Sequence, residues 1–145
     1  NALNTTLLDL TRSLRVACSF ALENADQTGM LYIIGLPLIN GSISFYVEEE
    51  LVNVKLSGIC PPQALRPHFQ EGFLVGTFPN PGRKEFSYKA FDVDKLDFGR
   101  RLVAKFRLQK NGFWDDEFTP IPHKALFPDK DTVKAVCDRM RSLLS

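Results

Sequence analysis

Met30–Leu51 reads MLYIIGLPLINGSISFYVEEEL, the most apolar run of the chain, with Asn40-Gly41 at its centre. Asn-Gly tolerates positive φ at both central positions of a type I′ turn, so the run is expected to fold as a β-hairpin with a two-residue loop. In that register Leu38 pairs with Ile43, Leu36 with Phe45, Ile34 with Val47 and Met30 with Leu51, all on one apolar face. The opposite face pairs Pro37 with Ser44, Gly35 with Tyr46, Ile33 with Glu48 and Leu31 with Glu50, and is mixed. A slip of one residue would set apolar side chains against serines and glutamates on both faces. Cross-strand pairs contribute about 0.2–1 kcal/mol each, which favours the unslipped register.

Outward from the hairpin, Ala25–Gly29 reads as a polar turn, and before it residues from about Thr5 to Asn24 place Leu7, Leu10, Leu14, Ala17 and Ala21 at helical spacing. With Thr6 and Asp9 as a capping-box variant, this is an amphipathic helix whose stripe packs on a sheet. After Val47 the apolar positions change phase, so Glu48-Glu49-Glu50 marks a bulge or tight turn, and Leu51–Ser57 is a third strand. A charge run of this kind is usually a solvated turn rather than a metal or basic-partner patch. Pro61, Pro62 and Pro67 make Gly58–Gln70 a crossover with room for a helical turn or two. Gly72–Phe78 and Lys84–Phe91 form the next expected hairpin through Pro79-Asn80-Pro81-Gly82, pairing Val75 with Phe86 and Phe73 with Tyr88.

A second Asn-Gly, at Asn111-Gly112, joins LVAKFRL to FWDDEFTPI, and only a three-residue loop ending in a left-handed glycine keeps its faces consistent. Leu108 then meets Trp114 and Ala104 meets Phe118, while Arg107 meets Asp115 and Lys105 meets Glu117. Asp131–Leu144 repeats Val133, Val136, Cys137, Met140, Leu143 and Leu144 as a closing amphipathic helix. The fold class expected is α+β: one domain over residues 1–145, an antiparallel sheet of six or seven strands, and the N- and C-terminal helices packed on one face. This element order resembles that of small secretion-chaperone folds, a likeness of topology that does not by itself settle function.

Composition narrows the class of function. A 145-residue chain with 44% hydrophobic content can bury a core of its own, and a net charge of +1 excludes a strongly basic nucleic-acid coat or an acidic tail. Three separated cysteines without a CxxC point to neither a zinc module nor a disulfide scaffold, and a reduced, cytoplasmic setting is expected. No apolar run reaches the ~20 residues of a membrane span, so no membrane partner is expected. The first residues, Asn1-Ala2, read as a cleavage remnant or processed start.

Chemistry-bearing constellations are sparse. Cys60 with His68 is the best nucleophile and base pair, the third reading being a cysteine-dependent enzyme centred on Cys60, but a partly buried thiol is commonly inert. Cys60, His68 and His123 lack metal-site spacing, and Asp92, Asp94 and Asp97 lack the glycine and closing glutamate of a calcium loop. Of Asp115, Asp116 and Glu117, which could in principle provide an acid–base pair, the register assigns Asp115 and Glu117 to surface ion pairs with Arg107 and Lys105. No glycine-rich phosphate loop is present, so no catalytic residue, metal or cofactor is expected.

Charge is unevenly distributed. Residues 1–60 hold six acidic against three basic side chains, net −3, whereas residues 83–110 hold nine basic against four acidic, net +5, interleaved with Phe86, Tyr88, Phe91, Phe98 and Phe106. Basic strands with aromatics stack single-stranded nucleic acid, which makes binding through Arg100, Arg101, Lys105 and Arg107 the second reading. It is weakened by Phe86, Tyr88 and Phe106 falling on the expected core face. The leading reading is a non-catalytic protein-binding module: an adaptor, a chaperone-like protein or a toxin-neutralising partner. Its mixed face of Leu31, Ile33, Ile39 and Tyr46 would take a protein partner, an acidic surface among the options, or a second copy of the chain as a homodimer.

Overall fold

The computed structural model describes residues 7–77 and 98–128, and positions 135–136, 138–140 and 142. Those residues form an α+β arrangement in which six antiparallel strands fall into two sheets, where a single sheet was expected. The larger sheet has the order β1-β5-β4-β3, with β1 at Leu8–Thr11, β3 at Ile43–Tyr46, β4 at Leu51–Lys55 and β5 at Gly72–Thr77. The smaller pairs β2 (Thr28–Ile34) with β6 (Leu102–Gln109).

The hairpin expected over Met30–Leu51 does not form. β2 pairs with β6, from Thr28 opposite Gln109 to Ile34 opposite Leu102, and β3 pairs with β4, from Ile43 opposite Val54 to Tyr46 opposite Leu51. Residues 35–42 instead carry the chain from one sheet to the other. Pro37 has no N–H to give to a ladder, and Gly35 is a poor strand residue, so the middle of the expected first strand is its weakest part. Asn40-Gly41 still turns the chain, with Gly41 at φ +94°, but as a corner. The Ser44 hydroxyl donates to the Asn40 carbonyl at 2.9 Å and closes it.

Where the signals are local, structure follows them. Val47–Glu49 forms a 3-10 turn and Glu50 takes a left-handed conformation at φ 49°, so the glutamate run does turn β3 into β4. The crossover holds two short helices, α2 (Leu56–Ile59) and α3 (Leu65–Phe69). Gly112 is left-handed at φ +74° as expected. The strand expected after it is absent: residues 113–118 fold back as an aromatic cluster instead of lying along β6. Trp114 stacks on Phe118 at 5.2 Å between ring centroids and meets Phe113 edge-on at 4.8 Å. The ion pairs expected from Arg107 to Asp115 and from Lys105 to Glu117 are therefore not made. Asp115 Oδ1 instead accepts from the N–H groups of Glu117 and Phe118, at 2.9 and 2.6 Å.

The first helix is shorter than its stripe suggested. Residues 8–11 are β1, paired with β5, and α1 runs over Leu14–Glu23. Leu-Asp-Leu-Thr alternates with a period of two, which suits an edge strand, and Ser13 rather than Thr6 caps the helix, its hydroxyl accepting from the Val16 N–H at 3.4 Å. The buried residues of α1 are Val16, Cys18, Ser19 and Leu22, while Leu14 is exposed. Cys18 and Leu22 pack with Leu31 of β2 and Leu108 of β6, and Phe113 and Trp114 close over them. A second buried group, Leu51, Asn53, Phe73 and Val75, lies on one face of the larger sheet.

On its flank α1 is strapped by Thr119–His123. The Arg15 Nε donates to the Thr119 carbonyl at 2.7 Å, and the Ile121 N–H donates to Ser19 Oγ at 3.0 Å. Glu23 then pairs with the Nδ1 of His123. Two strap residues thus match four helical residues, because four residues of helix rise ~6 Å and two of a polyproline stretch ~6.2 Å. Pro120 and Pro122 hold the strap extended, Pro122 at φ −59° and ψ 142°. It ends in α4 (His123–Leu126), whose Leu126 carbonyl accepts from Gln70 Nε2 at 2.7 Å.

The expected pairing of Gly72–Phe78 with Lys84–Phe91, and the connection Asp92–Gly99 up to residue 97, lie outside the described residues. In the closing segment, positions 135–136, 138–140 and 142 are helical, with Val136 and Met140 about half exposed. Among the described residues no helix is long and apolar enough to cross a membrane.

Candidate functional site

The side chains singled out from the sequence do not form one face. Leu31 is buried against Cys18, Leu22 and Leu108, which removes it from any docking surface. The alternation that set it beside Glu50 assumed the wrong partner strand. Tyr46 lies on the larger sheet, where its hydroxyl donates to the Leu38 carbonyl across the chain corner. Ile33 is exposed on β2, opposite Ala104.

Ile33 therefore shares the β2–β6 ribbon with the basic residues but lies on its opposite face. Lys105 lies opposite Tyr32 and Arg107 opposite Met30, and the Lys105 ammonium sits 5.4 Å from the centre of the Tyr32 ring. Arg101 continues the same ladder, its carbonyl accepting from the Gly35 N–H at 2.8 Å, while its guanidinium pairs with Glu49 at 2.5 Å and links the two sheets. Arg100 is exposed in the 3-10 turn Phe98–Arg101 that precedes β6.

The β2–β6 ribbon is only half covered. Helix α1 packs on Gly29, Leu31 and Leu108, at one end of the inner face. Ile33 and Phe106, further along that face, are 40% and 49% exposed, and the outer face shows Tyr32 at 52% and Met30 beside Lys105 and Arg107. A register shift between Ile33 and Ile34 inserts Val103, which is 70% exposed. Such a bulge twists a strand and turns its side chains outward. Met30, Tyr32 and Val103 were not singled out by the sequence as site residues. Phe106 was assigned to the core face, and only knowledge of the partner strand would have exposed it.

The remaining candidates stay dispersed. Cys60 is half-buried, and the ring of His68 is directed to the Pro61 carbonyl at 3.3 Å rather than to the thiol. His123 is committed to Glu23 and lies 4.9 Å from the Phe127 ring. Among the described residues no three His, Cys, Asp or Glu side chains converge on a metal-sized site. Asp92, Asp94 and residues up to Asp97 lie outside those residues.

Burial pushes the Cys18 thiol up from its ordinary value. The sign is that of a group kept neutral by the fold: its contribution to stability is complete below the unfolded thiol value of about 8.5 and is lost as pH rises through the higher folded value. Cys60 is accordingly expected to react with iodoacetamide at pH 8 well before Cys18. Peptide mapping after partial labelling checks this, and modification of Cys18 first would contradict it.

No protein-family model, curated protein or solved structure matches the chain.

Proposed function

We propose that the chain is a non-catalytic protein-binding module that takes its partner on the β2–β6 ribbon. The observation that carries this reading is a two-stranded ribbon exposed on both faces, with Met30 and Tyr32 beside the exposed cations Lys105 and Arg107 on one face, Ile33 and Phe106 exposed on the other, and Val103 exposed at the bulge. Aromatic and aliphatic anchors rimmed by charge are the composition of a binding patch, and the cations favour a partner with acidic groups. The surface moves from the hairpin face expected in the sequence to the ribbon, keeping Ile33, losing Leu31 and Tyr46, and taking in Lys105 and Arg107, which the sequence had pointed to for nucleic acid.

The nucleic-acid reading gains from the exposure of Tyr32 and Phe106. It loses from the commitment of Arg101 to Glu49, since a single strand needs a run of free cations along its backbone. A Tyr32→Glu, Lys105→Glu variant is expected to weaken a protein partner's binding at least about tenfold, with Leu38→Glu, at an 80% exposed corner position, leaving it unchanged. Titration calorimetry with a partner recovered from the native host measures both. Equal binding by the ribbon variant would overturn the reading, as would salt-sensitive binding of oligothymidylate with no protein partner.

A further inference from the structure

We infer that the outer edge of β6 is a strand-addition site for an acidic extended peptide, one that alternates acidic and apolar residues. The inference rests on the ribbon reading and adds the mode of recognition.

Two hydrogen bonds fix which backbone groups of the ribbon face outward. The Lys110 N–H donates to the Gln27 carbonyl at 2.8 Å beyond one end, and the Gly35 N–H donates to the Arg101 carbonyl at 2.8 Å beyond the other. In an antiparallel pair, residues that exchange bonds alternate with residues whose N–H and C=O point away from the partner strand. Gln27 and Gly35 are both odd-numbered, so both ends give the same phase once the register shift at Ile33/Ile34 is counted. The bonded positions are then Gly29, Leu31 and Ile33 with Leu108, Phe106 and Ala104. The backbone groups of Lys105 and Arg107 are turned outward, and they have no partner among the described residues.

The side chains along that edge specify the occupant. A strand added antiparallel to β6 would exchange its backbone bonds with Lys105 and Arg107, and residues directly opposite on one face approach within about 5.5 Å. The residues facing Lys105 and Arg107 must therefore accept a cation, and carboxylates do so. The residue between them points to the other face, beside exposed Phe106, and must be apolar. Acidic, apolar, acidic is thus the shortest complementary sequence.

Charged residues on an edge strand also serve to prevent self-association. Here the two roles agree, because a second β6 would set Lys105 and Arg107 against cations, whereas an acidic strand meets neither obstacle. Charge selects the peptide over a second copy of the chain at this edge.

The test uses the full chain and three probes: a blocked peptide alternating glutamate and leucine, the same peptide with its glutamate amides N-methylated, and oligothymidylate. Amide exchange by NMR should find the Phe106 N–H protected in the free protein and those of Lys105 and Arg107 open. Saturating peptide should slow the latter two about tenfold or more. N-methylation should weaken binding about tenfold, as should Lys105→Glu with Arg107→Glu. Equal binding of both peptides, or unchanged exchange at Lys105 and Arg107, would overturn strand addition while leaving side-chain recognition on the ribbon intact. Peptide binding indifferent to Lys105→Glu, Arg107→Glu and Tyr32→Glu together would overturn the ribbon reading as well. Preference for oligothymidylate over both peptides would overturn the acidic-peptide assignment.

Discussion

Gly29→Ala is expected to destabilise the protein by about 3 kcal/mol or more, the upper end of what an extra methyl group costs in a packed core. A Cβ at Gly29 would lie 2.2 Å from the carbonyl oxygen of Ala21 and 2.7 Å from its carbonyl carbon. Both are backbone atoms of α1, so no rotamer change relieves the contact. The helix must withdraw from β2, and withdrawal opens the seam where Cys18 and Leu22 meet Leu31 and Leu108. Two controls isolate the cause. Gly41→Ala has open space around its Cβ but a φ of +94°, so it should cost only about 1 kcal/mol of backbone strain. Ala21→Gly removes the Ala21 methyl group but not the carbonyl, so adding it to Gly29→Ala should fail to restore stability. Urea unfolding of the four proteins measures this. A Gly29→Ala loss below that of Gly41→Ala, or rescue by Ala21→Gly, would refute the backbone contact.

Gly29 also illustrates what was legible in the sequence. It stands at the end of the polar run Ala25–Gly29 and reads as a turn residue, yet it is a strand residue pressed on a helix. Nothing within several residues of it identifies the helix as its neighbour. Signals with a local cause were legible: the left-handed turn at Gly112, the reversal at the glutamate run, the helical core of α1, and strands at β4 and β5. Strand pairing was not. The Asn40-Gly41 register looked favourable because it was compared only with its own one-residue slips, whereas the competing partner was β6, some seventy residues away in sequence. Pairing with β6 lets Leu31 and Leu108 share one core with α1, an interaction that no pairwise comparison within Met30–Leu51 contains. The candidate surface inherits the same limit. Lys105 and Arg107 were found from charge alone, while Tyr32 and Val103, and the exposure of Phe106, became visible only when the partner strand was known.

Asn53→Val is expected to stabilise the protein by about 1–3 kcal/mol, the desolvation cost of an unpaired buried polar group. Asn53 is 0% exposed in the middle of β4, and neither Oδ1 nor Nδ2 has a hydrogen-bond partner among the described residues. The residue directly opposite on β3 is Ser44, whose hydroxyl hydrogen goes to the Asn40 carbonyl and not to the amide. The other neighbour, opposite on β5, is Val75, which has nothing to offer an amide. Valine removes both unpaired groups, keeps a side chain of similar reach and suits a strand better than asparagine. Asn53→Asp should act in the opposite direction, because a carboxylate at the same place is charged as well as unpaired. For a chain of this length each kcal/mol corresponds to a few degrees in melting temperature, so the valine and aspartate variants should move Tm to opposite sides of the wild type. A fall in Tm for Asn53→Val, with the protein still folded, would mean that the amide makes bonds in solution and that β4 is organised around them. In that case the asparagine, rather than the apolar residues flanking it, would be what holds the centre of the larger sheet.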